Sequence, residues 1–184
     1  MNPPCLTGGS RPPWGGDQSG RIDGYAASVF CSVKMLQDEL QCLFESAGFG
    51  CKIYPGQKPR SYENMLYFLG DKDEMLSDLK WGGQNQHPHI ESKGIASALV
   101  AEHLKNWMPH QVSRVDHALD LRASGLFDRM LALLRDQEWC SQRRVSLGFD
   151  GDWATPDAGR TLYIGAKKSA IRVRIYEKGL KYAA

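Results

Sequence analysis

Apolar and polar residues recur along the chain with two periods, and the switches between them mark the elements. Val33, Leu36, Leu40, Leu43, Phe44 and Ala47 recur at helical spacing, behind Ser32 as a cap and ahead of Gly48 as a stop. The stripe predicts a helix with these residues in the core. Ile95, Ala98, Leu99 and Leu104 predict the inward face of a second helix, stopped before Pro109, and Leu126, Phe127, Met130, Leu131, Leu133 and Leu134 a third. Between them the period falls to two, which predicts strands over residues 22–30, 51–54, 62–69, 112–122 and 144–149. Residues 62–69 are apolar on both faces and read as a central strand, while 71–77 read as a loop or a helical turn. Near the end Leu162 and Ile164 alternate with Thr161 and Tyr163, and Ile171, Val173 and Ile175 with Arg172, Arg174 and Tyr176. These are two strands joined by a tight basic turn. Several connections are too short for a crossover, so much of the sheet is antiparallel. The expected architecture is an α+β two-layer sandwich, a largely antiparallel sheet with helices on one face and the other face open.

Composition narrows the class. The 184 residues suit one core, with 42% apolar content and a mean hydropathy of −0.43. Residues 1–20, rich in Pro, Gly and Ser, read as a flexible tail, and residues 21–184 as a single α+β domain. No apolar run approaches a membrane span and no secretory leader is evident, so no membrane partner is expected. Cys5, Cys31, Cys42, Cys51 and Cys140 are odd in number and lack a Cys-x-x-Cys spacing, which points away from zinc and a disulfide framework and towards reduced thiols in a cytoplasm.

Charge changes the picture most. Residues 159–184 hold seven Lys or Arg and one acid, a net +6, whereas the whole chain carries +2 and residues 1–158 sum to −4. Basic character gathered in one hairpin is the footprint of a polyanion site. On that hairpin Arg172, Arg174, Tyr176 and Lys178 share the open face; cations hold phosphate oxygens, and a phenol can attack phosphorus. Elsewhere His87, His89 and Glu91 lie on one side of a strand, about 7 Å apart in succession, a donor set for a divalent metal. Pro88 between them restricts that segment to an edge strand or a loop. Asp116 and Asp120 face the same way on their strand, but about 13 Å apart they cannot share one ion unless the chain bends. Either can instead pair with Arg114 or Arg122. His117 takes the other face and reads as a packed core histidine.

The run Gly159-Arg-Thr-Leu-Tyr-Ile-Gly-Ala, followed by Lys168-Ser and by Arg174-Ile-Tyr-Glu-Lys-Gly, resembles the signature of the replication initiation factor family. These are rolling-circle initiators of plasmids and filamentous phages, related to mobile-element relaxases. The likeness extends over roughly residues 82–181, taking in Gly82-Gly83, Pro88-His89, Arg114-Val-Asp and Asp152-Trp153. His-x-His is also similar to the histidine pair of the wider rolling-circle nucleases, with Pro88 where a bulky apolar residue is usual. The resemblance implies a palm-like sheet and a DNA strand transferase. Tyr176 would be the nucleophile, with Tyr163 as the other candidate. Glu177 would assist a divalent metal, Mg²⁺ or Mn²⁺, bound with Asp116 and His89, and Lys178 and Arg174 would neutralise the scissile phosphate. Arg160, Lys167, Lys168, Arg172 and Arg174 would bind DNA, single-stranded or an origin hairpin. Strict alternation, however, sends Glu177 to the face opposite Tyr176. The family continues past this motif into further sheet and DNA-recognition sequence, so the chain is expected to lack that C-terminal part. A phage- or plasmid-encoded protein in a bacterial cytoplasm is implied. The rival expectation is a non-catalytic derivative, a small phage-encoded module that binds or inhibits a nucleic-acid-binding protein partner.

Overall fold

The computed structural model describes residues 20–57, 61–121, 125–135, 146–151 and 159–177. Most of the expected tail, Arg144, the Asp152-Trp153 pair, Lys178, Cys5 and Cys140 lie outside them. The fold is α+β, with a large antiparallel sheet and three helices. The described residues fall into two compact units, one within residues 15–121 and one within 122–184.

The first unit is a six-stranded antiparallel sheet in the order β2-β3-β4-β5-β1-β6. Its strands are β1 (Arg21–Val29), β2 (Lys52–Pro55), β3 (Asn64–Leu69), β4 (Met75–Gly82), β5 (Asn85–Lys93) and β6 (His110–Ala118). Helix α1 (Val33–Ser46) starts as its sequence predicts: Ser32 is extended, and its hydroxyl accepts from the Met35 N–H at 3.2 Å. Leu36, Leu40 and Phe44 are buried beneath it. Helix α2 (Ile95–Trp107) buries Ala96, Ser97, Val100 and Leu104, so its inward face is turned from the expected one, and Ile95 is 71% exposed. Its Ala- and Ser-rich sequence gives little polar contrast to fix the phase.

Both helices share one core with alternate residues of the sheet, including Tyr25, Ala27, Val29, Phe68, Leu79 and Ile90. The register confirms a common face, since Ala27 opposes Ile90 and Leu79 opposes both Ile90 and Leu66. The intervening residues therefore point to the opposite face of the sheet.

Three local expectations are corrected. Residues 75–82 form a strand where the loop reading ran to Ser77; β4 carries its extra residue, Leu76, at a register shift and buries it in the core. The segment holding Pro88 is an inner strand, not an edge. Proline is accommodated because it falls at the register shift between the Lys80–His89 and Gly82–Asn85 pairs, just past Ser28–His89, where the pairing with β1 stops. His117 is exposed on the outer strand β6 rather than packed.

The second unit pairs α3 (Leu126–Arg135) with an antiparallel sheet ordered β7-β8-β9, made of β7 (Leu147–Asp150), β8 (Thr161–Ile164) and β9 (Val173–Tyr176). Its own core joins Phe127, Leu131, Leu134 and Leu162, with Ile164 and Ile175 packed against them. Where the sequence reading put all strands in one sheet, the basic hairpin and β7 build a separate one.

Candidate nucleic-acid interface

The hairpin β8–β9 sorts its side chains by parity. Leu162 opposes Ile175 on the face packed by α3, while Tyr163 opposes Arg174 and Thr161 opposes Tyr176 on the other. Gly165 closes β8 at φ +100°, where a Cβ would meet the Ile171 carbonyl at 2.8 Å; only glycine fits this turn without strain. The chain returns with Lys167 and Lys168 exposed in the turn. The guanidinium of Arg172 then lies 4.1 Å from the Tyr163 ring centre. That of Arg174 lies between the two tyrosines, 5.8 Å from Tyr163 and 4.9 Å from Tyr176. Arg172 and Arg174 are exposed, and Tyr176 is 41% exposed. This is an open surface of two phenol rings and two guanidiniums, with two ammonium groups at its end.

Glu177 and Arg160 lie elsewhere. Both face the α3 side, as alternation requires, and they grip each other. Arg160 Nε and Nη2 donate to the two Glu177 oxygens at 2.9 and 2.8 Å, and the Arg160 N–H donates to the same carboxylate at 3.2 Å. Arg160 Nη1 also reaches Asp128 of α3 at 2.8 Å, and its guanidinium covers the Phe127 ring at 4.6 Å. The hydrogen bonds from Arg160 hold the Glu177 carboxyl below its ordinary range and raise the arginine. This clamp fixes the strand end next to Tyr176; it takes Glu177 off the open face and leaves Arg160 committed to carboxylates.

The other two expected metal ligands belong to the six-stranded sheet, on its face away from α1 and α2. Asp116 folds over Gly24, whose missing Cβ would lie 2.6 Å from Asp116 Oδ2. There it receives two hydrogen bonds from Arg114. His89 is 9% exposed; its Nδ1 is 3.2 Å from the Ser28 hydroxyl, the Tyr62 ring stacks on it, and burial lowers its pKa. His87 instead tilts against Phe30 at 4.8 Å. Asp120 pairs with Arg21 at 3.0 Å. Missed by sequence reasoning were Asp78 and Lys80, on the strand taken in part for a loop. Lys80 Nζ lies 3.0 Å from Asp78 and 2.8 Å from Glu91, and Glu91 lies 3.7 Å from His89 Nε2. The apolar residues 76, 79 and 81 around them were the signal that could have placed both on a strand.

Each of the expected metal ligands Asp116 and Glu177 is engaged within its own unit. Asp116 and Glu177 are each held by an arginine, and the carboxylate beside His89 is held by a lysine. Among the described residues no three His, Cys, Asp or Glu side chains converge as a cation site, and no helix is long and apolar enough to cross a membrane. No family model, curated protein or solved structure matches the chain.

Proposed function

We propose that the chain is a single-stranded DNA-binding domain of rolling-circle initiator type that nicks and transfers a strand through Tyr176. The observation that carries this reading is the exposed Tyr176 with Arg174 against its ring, on a face shared with Arg172 and Tyr163. Bases stack on aromatic rings whatever their sequence, and guanidiniums take non-bridging phosphate oxygens in paired hydrogen bonds. In the reaction the Tyr176 oxygen bonds to phosphorus as the bond from phosphorus to the 3′ oxygen breaks. The phenol proton passes to solvent, the 3′ oxygen takes one up, and the 5′ phosphate stays on the tyrosine. Arg172 and Arg174 offset charge on the phosphorane oxygens. The clamp of Arg160 and Glu177 keeps the strand in register while this happens. No step is assigned to a metal.

The test is a nicking assay on single-stranded and supercoiled origin-like DNA, with Mn²⁺ and with chelator. A covalent protein–DNA adduct is expected, absent in Tyr176→Phe; loss in Tyr163→Phe instead would move the nucleophile to Tyr163. The commitment of Asp116 and Glu177 to arginines favours a second reading, the same surface binding DNA, or occupying a nucleic-acid-binding partner, without cleavage. A folded protein that binds DNA and yields no adduct under either condition establishes that reading.

A further inference from the structure

Tyr163 stands on the central strand of the small sheet, between Gly148 on β7 and Arg174 on β9. Gly148 offers no side chain, and a Cβ there would come only to 3.6 Å from the Tyr163 Cβ. From the other side two cations reach the ring, Arg172 over it at 4.1 Å and Arg174 at 5.8 Å from its centre. Neither arginine has a carboxylate partner among the described residues, unlike Arg21, Arg114 and Arg160. Both are exposed while Tyr163 is half-buried. A ring fixed in the sheet thus carries two guanidiniums that would otherwise spread over many rotamers in solvent. A guanidinium stacks by its face and donates from its edge, in its own plane. Contact with the ring therefore leaves its N–H groups open to phosphate oxygens. An ammonium has no such face.

We propose that Tyr163 is a positioning residue for phosphate recognition: its ring orders Arg172 and Arg174, which grip the backbone of a single strand, and it takes no covalent part in strand transfer. The inference rests on the reading of this hairpin as a DNA surface, and adds that Arg172 and Arg174 read the phosphodiester rather than the base. The ring orders both long side chains before DNA arrives, so less of their conformational freedom is lost on binding. The role needs the ring and not the hydroxyl, which separates it from that of a nucleophile. It also leaves the number of cations unchanged, which separates loss of the ring from loss of an arginine.

The experiment measures binding of a fluorescein-labelled oligothymidylate to the full chain by anisotropy, over a series of salt concentrations. Tyr163→Leu is expected to bind about tenfold more weakly with the salt slope unchanged, because both cations remain but are no longer held. The conservative variant Tyr163→Phe, which keeps the ring, is expected to recover the affinity that Tyr163→Leu loses. Arg172→Lys keeps the charge and loses the stacking face, and is expected to bind about fivefold more weakly, again with the slope unchanged. If circular dichroism shows Tyr163→Leu unfolded, Arg172→Lys carries the test. Tyr163→Leu as tight as wild type overturns the assignment and leaves the DNA reading standing. So does Arg172→Lys as tight as wild type, or Tyr163→Phe as weak as Tyr163→Leu. A wild type that binds no oligonucleotide overturns the DNA reading, and this assignment with it.

Discussion

Gly165 shows how much one position decides. The run Tyr-Ile-Gly-Ala is visible in the sequence, but the need for glycine is not. It comes from a backbone at φ +100° with the Ile171 carbonyl 2.8 Å from where a Cβ would sit. Gly165→Ala is expected to cost about 1–3 kcal/mol of stability through left-handed strain, read as a lower urea midpoint. Gly20→Ala, at a position with nothing within 4 Å, serves as the control with little change. The thiols differ at the same scale. Burial first, and Glu45 second, push Cys51 up to about 11. The thiolate is the reactive form, so at pH 8 only roughly one Cys51 in a thousand is reactive. Peptide mapping after iodoacetamide treatment is expected to find exposed Cys42 labelled long before Cys51, with the Cys51 rate climbing as pH rises towards 11. Labelling of Cys51 at the rate of Cys42 at pH 8 would contradict this.

Elements were legible where polarity contrast was strong. Helix α1 emerged with its cap and buried stripe because charged residues separate its apolar ones, whereas α2 showed its extent but not its phase, since Ala and Ser pass on either face. Strand β4 was obscured because Asp78 and Lys80 put two charges among its apolar residues, and a bulge at Leu76 breaks the alternation. Asp78 and Lys80 pair with each other along β4, but the second partner of Lys80, Glu91, lies on β5 and cannot be read along one strand. The basic hairpin was legible at Leu162, Tyr163, Arg174, Ile175 and Tyr176, and in Glu177 turning away from Tyr176, whereas Ile171, read as core-facing, precedes β9 and is 80% exposed. The grip of Glu177 on Arg160 was not, because that contact depends on the register of β8 against β9, which alternation along one strand does not set. A double-mutant cycle of Arg160→Met with Glu177→Gln is expected to give a coupling of about 1 kcal/mol at pH 7, modest because both side chains are about one-fifth exposed. The folded Glu177 pKa is depressed, so this coupling is full above the ordinary carboxylate range and fades as pH falls through the lower folded value. A coupling as large at pH 3 as at pH 7 would assign the contact to something other than charge.

For the molecule as a whole, alternation fixes which face a side chain takes but not which strands share a sheet. The open face expected to carry Asp116 and Tyr176 together is two faces, on two sheets, each backed by its own core. Charge follows the same division: residues 122–184 sum to +5, with the basic excess in residues 159–184, against −3 over residues 1–121. Each exposed arginine that meets a phosphate releases counterions on binding, so Arg172→Ala and Arg174→Ala are each expected to lower the salt slope of single-stranded DNA affinity by roughly 0.7. Arg160→Met, whose guanidinium is spent on Glu177 and Asp128, leaves the slope unchanged. The core beneath α1 and α2 draws all its buried residues from Tyr25 to Leu104. A chain of residues 15–121 therefore has the apolar contacts to fold alone, and a single cooperative urea transition is expected of it. Lacking the hairpin, it is expected to retain no measurable affinity for single-stranded DNA at a salt concentration where the full chain binds. Binding by that shorter chain would move the polyanion site from the tyrosine–arginine surface to the six-stranded sheet, where Arg114 and Lys80 are already paired with carboxylates.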